Sequence, residues 1–329
     1  MARPYSIAVD LGGTHIRAAL FLGQDTTPVR RTRGLTPQTP DQTAILEALA
    51  RAIQDLIPPD ADLANLSIAV GTPGPVDPFL GLVLSAPNIP SWHALPLRDW
   101  LLSRFAATIH IANDANLAAL GELSYGAGQG ATDLVYLTIG TGIGGGVITA
   151  GRLLLGSRGL GAELGHVTVD PGGPQCGCGR NGHLEALASG PAIAREARAR
   201  LAAGASSSLS QAYRSDPLAI TTERIAEAAR QGDAFSRTLV ADIASLLARF
   251  IADCLALFSP QRVILGGGVM GLGELLIAPI REGVTHYAMA AVYVEQLTIC
   301  AAQLGDDAGL LGGLALCLNP SLQPSSPAS

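Results

Sequence analysis

One arrangement recurs in this chain and limits its fold more than any other feature. It is an apolar strand, a glycine-rich turn carrying a threonine, and a second apolar strand. The first copy runs Tyr5–Val9, then Asp10-Leu11-Gly12-Gly13-Thr14, then Ile16–Phe21. The second runs Leu134–Ile139, then Gly140-Thr141-Gly142-Ile143-Gly144-Gly145-Gly146, then Val147–Ala150. Apolar runs joined by a Gly-containing turn read as a hairpin, and the same hairpin met twice is a weak internal repeat. Around these copies the pattern alternates. Asp41–Ile57 has apolar residues at helical spacing (Ile45, Leu49, Ile53, Leu56) and stops at Pro58-Pro59. Leu66–Val70, Ile109–Ala112 and Arg262–Leu265 read as strands; Ala115 to about Ser124, Leu184–Leu201, Thr222–Gln231, Phe235–Phe258 and Ala308–Cys317 read as helices. Strands alternating with helices give an α/β fold in two lobes, and 329 residues suit two domains of about 150 each. Ala203–Ser210 reads as a flexible loop and Pro320–Ser329 as a disordered tail.

Composition excludes several functions. All 21 basic residues are arginine, so a P-loop NTPase, a protein kinase with its strand lysine and a Schiff-base enzyme are ruled out. A net charge of −6 with no basic run longer than Arg30-Arg31 argues against nucleic acid as a partner. Leu134–Gly151 is 18 residues without a charge, but its six glycines and three threonines suit two buried strands better than a membrane span. No secretory signal is expected ahead of Asp10, and five cysteines, an odd number, favour the cytoplasm over a disulfide framework.

Glycine turns expose backbone N–H groups with no side chain in the way, and such concave nests take anions, phosphate above all. Gly266-Gly267-Gly268, following a buried strand, would let a flat base or ribose approach the backbone. Asn113-Asp114, at a strand end and a helix start, has two readings. It is a helix cap, or Asp114 is a general base that accepts the proton of a hydroxyl attacking a γ-phosphoryl group. Asp10 either closes its turn or holds Mg²⁺ through water. His166, Cys176, Cys178 and His183 fall within 18 residues rich in glycine, which fits a closed tetrahedral Zn²⁺ site. The alternative is two free buried cysteines beside incidental histidines. Glu163 and Glu185 flank these ligands, and paired carboxylates suit the donor hydroxyls of a sugar. Cys254, Cys300 and Cys317 read as small core residues.

Together, Asp10–Thr14, Gly71-Thr72-Pro73-Gly74-Pro75-Val76, Asn113-Asp114, Gly140–Gly146, the Glu163–Glu185 segment and Gly266–Gly268 resemble the ROK family (repressors, open reading frames and kinases) of the sugar-kinase/actin/heat-shock-70 superfamily. The pieces come in the family's order and span nearly the whole chain. The resemblance implies two RNase H-like (actin-like ATPase) lobes flanking a central cleft. Residues 1–114 with about 308–320 would form the small lobe, 115–307 the large lobe, and 321–329 a disordered tail. It implies ATP with Mg²⁺, a structural Zn²⁺, a hexose phosphorylated at its 6-hydroxyl, and a homo-oligomer, dimer or higher. Carried over, Asp114 is the base, and Asn88, Asn113, Asp114, Glu163, His166 and Glu185 contact the sugar. Asp10, Gly12, Gly13, Thr14, Thr141 and Gly142 serve the phosphates and their cation, and Gly268 borders the adenosine.

One position departs from the family: the fourth metal ligand, usually cysteine, is His183. Two thiolates in place of three change the site from a net −1 to neutral. Ser85–Trp92 resembles the glucose-kinase version of its loop and favours glucose over mannose, fructose, N-acetylglucosamine or N-acetylmannosamine. A sugar-responsive repressor of the same family would carry a helix-turn-helix segment ahead of the first phosphate strand, and that strand begins here at residue 5.

Overall fold

Strands β1 (Tyr5–Leu11) and β2 (His15–Leu22) pair antiparallel with Leu11 opposite Ile16, so the first hairpin closes around Gly12–Thr14. The structure, a computed structural model, describes residues 4–59, 65–86, 89 and 91–324. After the hairpin come β3 (Arg30–Leu35), α1 (Gln42–Gln54), β4 (Leu66–Thr72), β5 (Val76–Asp77), β6 (Leu82–Ser85), β7 (His93–Leu95), α2 (Leu97–Leu102), β8 (Thr108–Asn113) and α3 (Asp114–Tyr125). The second passage gives β9 (Leu134–Ile139), β10 (Ile143–Thr149), β11 (Arg152–Leu153), α4 (Leu184–Ala188), α5 (Gly190–Ala202), α6 (Ser210–Ser215), α7 (Thr222–Arg230) and α8 (Ala234–Phe258). It ends with β12 (Arg262–Gly266), α9 (Glu274–Tyr287), β13 (Thr298–Ala301) and α10 (Ala308–Leu318).

Among the described residues there are two five-stranded sheets, ordered β3-β2-β1-β4-β8 and β11-β10-β9-β12-β13, besides a three-stranded sheet β5-β6-β7. In the first, β1–β4 and β4–β8 are parallel while β1–β2 and β2–β3 are antiparallel. The second repeats this plan, with β9–β12 and β12–β13 parallel. The weak repeat in the letters is thus a full repeat of topology, and the chain has the RNase H-like, actin-type α/β fold.

Alternate residues of β1 serve two cores, because successive side chains of a strand point to opposite faces. Ile7, Val9 and Leu11 join Ile45, Leu49 and Ile53 of α1, whereas Ala8 with Ala19 and Phe21 packs on Leu310, Leu311 and Leu314 of α10. A strand covered on both faces reads as a continuous apolar run. By backbone proximity one compact unit comprises Met1–Thr132, Gly146–Ala162 and Gln303–Ser329, and the other Asp133–Gly145 with Glu163–Ala302. Helix α3 therefore belongs with α10. The two approach so closely that a Cβ on Gly312 would stand 1.7 Å from the Leu117 carbonyl oxygen. At the far end of α3 the fully buried Glu122 accepts from the amides of Ala127 (2.8 Å), Gln303 (2.9 Å) and Leu304 (2.9 Å).

Several sequence expectations are corrected. Leu184–Leu201 is two helices, because Ser189 is extended (φ −68°, ψ 160°) and caps α5 through the Ala192 amide. Residues 203–209 are free of helix and strand as expected, and only Ser210 is taken into α6. Residues 143–146, read as turn, belong to β10, and their glycines serve packing: a Cβ on Gly145 would meet Leu164 at 2.7 Å. Pro320–Leu322 forms a 3₁₀ turn capped by Asn319, and 325–329 lie outside the described residues. Burial pushes the thiols of Cys254 and Cys317 up to about 12; Cys254 is a buried core residue, whereas Cys300 and Cys317, read as core, are half-buried. Among the described residues no helix is long and apolar enough to cross a membrane, and Leu134–Gly151 contains β9 and β10.

Candidate active site

In the first unit the Gly12–Thr14 turn has its carbonyl oxygens tied off by the segment after β3. Thr36 Oγ1 donates to Gly12 O (2.7 Å), Gln38 Nε2 to Gly13 O (2.7 Å) and Thr36 N to Thr14 O (2.9 Å). Engaged carbonyls repel an anion less than free ones, and within the turn the Gly12 amide is itself donated to His15 O at 2.8 Å. Thr36 is almost fully buried, and neither it nor Gln38 carried a motif that sequence reading could have used. Asp10, at the end of β1, pairs with Arg17 on β2, which also reaches Asp306 at 3.4 Å.

The two readings of Asn113-Asp114 are separated by geometry. Asn113 is the cap: its Oδ1 accepts from the amides of Ala115 (2.9 Å) and Asn116 (3.2 Å), while its Nδ2 donates to Gly74 O (3.2 Å). Asp114 is the first residue of α3, with Oδ1 accepting from the Ala115 amide at 2.8 Å. The helix start is served by the neighbour, so Asp114 is not required as its cap. The Gly71–Pro75 turn lies against this helix start; a Cβ on Gly71 would come within 2.8 Å of Leu117. Asn88 lies outside the described residues.

In the second unit the Gly140–Gly142 turn is closed by Gly140 N donating to Gly142 O (2.9 Å). Beside it opens a cavity of about 520 Å³ lined by Gly140, Thr141, Arg198, Glu223 and Gly268, with apolar walls from Leu218, Ile220 and Val269. Gly267 must be glycine: its φ is +87° and a Cβ would stand 2.4 Å from Ile139 O. Gly268 has open space where a Cβ would be, so a flat ring could lie on the backbone there. The Thr221 hydroxyl, then its own amide, hold the Glu223 carboxyl below the usual range, which keeps it a charged acceptor. Arg198 and Glu223 escaped the sequence reading because each is one charged residue on an ordinary amphipathic helix.

His166, Cys176, Cys178 and His183 do converge, offering one ligand atom each within 4.8 Å of one another. Cys176 Sγ is 3.6 Å from His166 Nδ1 and Cys178 Sγ is 3.2 Å from His183 Nδ1. A tetrahedral Zn²⁺ with ligands at about 2.0–2.3 Å places its ligand atoms roughly 3.3–3.8 Å apart, so the donor set fits that ion. The loop folds this tightly because Gly182 (φ +70°) passes so near Asp170 that a Cβ would lie 1.5 Å from its carbonyl oxygen. Cys176 N also donates to Arg180 O (2.7 Å). Burial, with the Cys178 side chain and then the charge of Glu185 adding to it and the Cys178 backbone opposing, holds the Cys176 thiol up at about 11, so a cation bound there must displace its proton. Glu163, just ahead of the 3₁₀ turn Leu164–His166, has its carboxyl raised by burial; His166 opposes and Glu185 reinforces the shift.

The ROK family model matches residues 6–319 of this chain. A glucokinase of Thermotoga maritima is 39% identical over 310 residues, 94% of this chain and 96% of that protein. The crystal structure of a ROK family glucokinase from Streptomyces griseus in complex with glucose and AMPPNP is similar at a TM-score of 0.79 and 35% identity, covering 95% of this chain and 99% of that one. That of a ROK hexokinase from Thermus thermophilus is similar at 0.74 and 34%, covering 95% and 97%.

Proposed function

The chain belongs to the ROK family, and from that premise we propose that it transfers the γ-phosphoryl group of ATP to the 6-hydroxyl of a hexose, glucose first of all. What carries this reading is the match to ROK glucokinases along nearly the whole chain, in which Asp114 stands beside a neighbour that already serves as helix cap. Asp114 accepts the proton of the attacking hydroxyl as the new P–O bond forms and the bond between the γ-phosphorus and the β–γ bridging oxygen breaks, with ADP leaving. Asn88, Asn113, Glu163, His166 and Glu185 hold the sugar. The two carboxylates accept from hydroxyl donors, and for Glu163 this favours the ionised form against the burial that raises it. Gly13, Thr14, Thr141 and Gly142 meet the phosphates through backbone amides, while Gly12, whose own amide donates to His15 O at 2.8 Å, leaves the turn free of a side chain for their approach. The 520 Å³ cavity bordered by Gly268 takes the adenosine, where Glu223 can accept from a ribose hydroxyl.

Asp10, its charge shared with Arg17, would hold Mg²⁺ through water, and that ion would neutralise charge on the phosphates. His166, Cys176, Cys178 and His183 would hold Zn²⁺ in a neutral, closed set whose chemistry is cross-linking. His166 would hold the ion through the Nδ1 that faces Cys176 Sγ, which would leave its Nε2–H to donate to a sugar oxygen. The protein would act in the cytoplasm as a homo-oligomer.

A coupled ADP-release assay across glucose, mannose, fructose, N-acetylglucosamine and N-acetylmannosamine tests the reading. The highest kcat/KM is expected with glucose; no ADP release with any of the five would overturn it. Glu163→Gln keeps the side chain's size but turns an NH₂ donor toward sugar hydroxyls. A mispaired hydrogen bond costs about 1–3 kcal/mol, so kcat/KM for sugar should fall roughly 5- to 150-fold through KM. The KM for ATP should stay put; equal rises for both substrates would mean that Glu163 supports the fold instead.

A further inference from the structure

Glu185 faces two ways. Its Oε1 lies 3.5 Å from Sγ of Cys176, within the His/Cys cluster, and its Oε2 accepts from the backbone amide of Ile143 at 2.9 Å, where the Gly140–Gly142 turn enters β10. The approach is close enough that a Cβ on Gly142 would stand 2.5 Å from Oε2. Two further contacts bind the same stretches together. Gly165, one residue before His166, presses on Ile143 so that a Cβ there would lie 1.9 Å from the Ile143 carbonyl oxygen. Past α4, Gly190 N donates to Gly140 O at 2.8 Å. The turn is therefore gripped at both ends by chain that begins at the cluster: His183 is the N-cap position of α4, Glu185 its second residue, and Gly190 the first residue of α5.

A turn of two glycines around Thr141 has little side chain of its own to fix its shape, and its many backbone states are costly to order. A carboxylate accepting a backbone amide makes a charge-assisted bond, about twice as strong as a neutral one. We propose that Glu185 is a positioning residue that transmits the order of the His/Cys loop to the Gly140–Gly142 turn, so that the metal cluster supports nucleotide binding as well as sugar binding. The proposal rests on the reading of that turn as a phosphate site. A role confined to the sugar would leave nucleotide affinity untouched in sugar-free protein, and that difference is measurable.

The test is calorimetric titration of full-length protein with Mg²⁺–AMPPNP in the absence of sugar, using wild type, Glu185→Ala and Glu185→Gln. Zinc content and thermal melts are recorded alongside. Wild type is expected to bind. Glu185→Ala, with zinc retained, should bind about tenfold more weakly or worse, since the Ile143 amide loses its acceptor. Glu185→Gln keeps a carbonyl for that amide and should recover most of the nucleotide affinity, while its sugar KM stays raised because an NH₂ now faces the hydroxyls. Wild-type affinity in Glu185→Ala would overturn the proposal. If Glu185→Ala loses its fold, Gly165→Ala, which pushes on Ile143 from the other side, replaces it; normal nucleotide affinity there, with zinc in place, would overturn the proposal equally. Failure of wild type to bind AMPPNP would instead sink the kinase reading beneath it.

Discussion

Asp114→Asn is expected to lower kcat about 10²- to 10⁴-fold, the range found when a general base is removed, while the melting temperature hardly moves. Both halves follow from the start of α3. The amide cannot take the hydroxyl proton, so the chemical step loses its base. The cap of the helix is Asn113, whose Oδ1 holds the amides of Ala115 and Asn116, and that arrangement is untouched by the substitution. The complementary variant, Asn113→Ala, should do the reverse to stability, at a cost of about 0.5–2 kcal/mol for a lost cap. Retention of more than a third of wild-type kcat by Asp114→Asn, measured at saturating sugar and ATP, would remove Asp114 from the chemistry.

Cys178→Ser should strip the zinc and raise the sugar KM by more than about tenfold, because the loop that sets Glu163 and Glu185 loses its cross-link. Cys178 suits the experiment because its side chain is exposed, so serine opens no cavity and the effect reads the metal alone. Elemental analysis and sugar titration decide it: a zinc-free variant with normal sugar affinity would refute the link. His183→Cys, which restores the ligand usual in the family, should keep both zinc and activity, since imidazole and thiolate each serve a tetrahedral site.

The parts of this site that were legible in the sequence are those where one short stretch carries the whole chemistry. The His166–His183 stretch is such a case: four side chains able to hold a metal lie close along the chain, and glycines such as Gly182 are required by backbone approach. The hairpin around Gly12 was equally plain, since apolar strands flank it. What escaped notice depends on residues brought from elsewhere. Thr36 and Gln38 hold the Gly12–Thr14 carbonyls from a distant segment, and Arg198 and Glu223 meet at the cavity from two helices. Gly145 looked like turn because glycine is the usual turn residue, whereas here it makes room for Leu164. The break at Ser189 was legible, since Ser189-Gly190-Pro191 is a cap residue followed by a proline in the first turn of a new helix, but the helical reading ran straight through it. Edge strands such as β3, with its three arginines, lack the apolar alternation that identifies buried ones.

The position of α10 has a consequence for how the protein is made. Its residues Leu310, Leu311 and Leu314 cover the sheet face formed by Ala8, Ala19 and Phe21, and the segment leading into it supplies the Gln303 and Leu304 amides that satisfy buried Glu122. On the ribosome, all of this emerges after the second unit has been synthesised. The usual order, in which the N-terminal domain folds first, cannot be completed here. An apolar sheet face and a carboxylate lacking two of its three donors must wait through the translation of Asp133–Ala302. The unit bearing Asp114 is thus the first begun and the last finished, and it is during that interval that the nascent chain most needs a chaperone's cover.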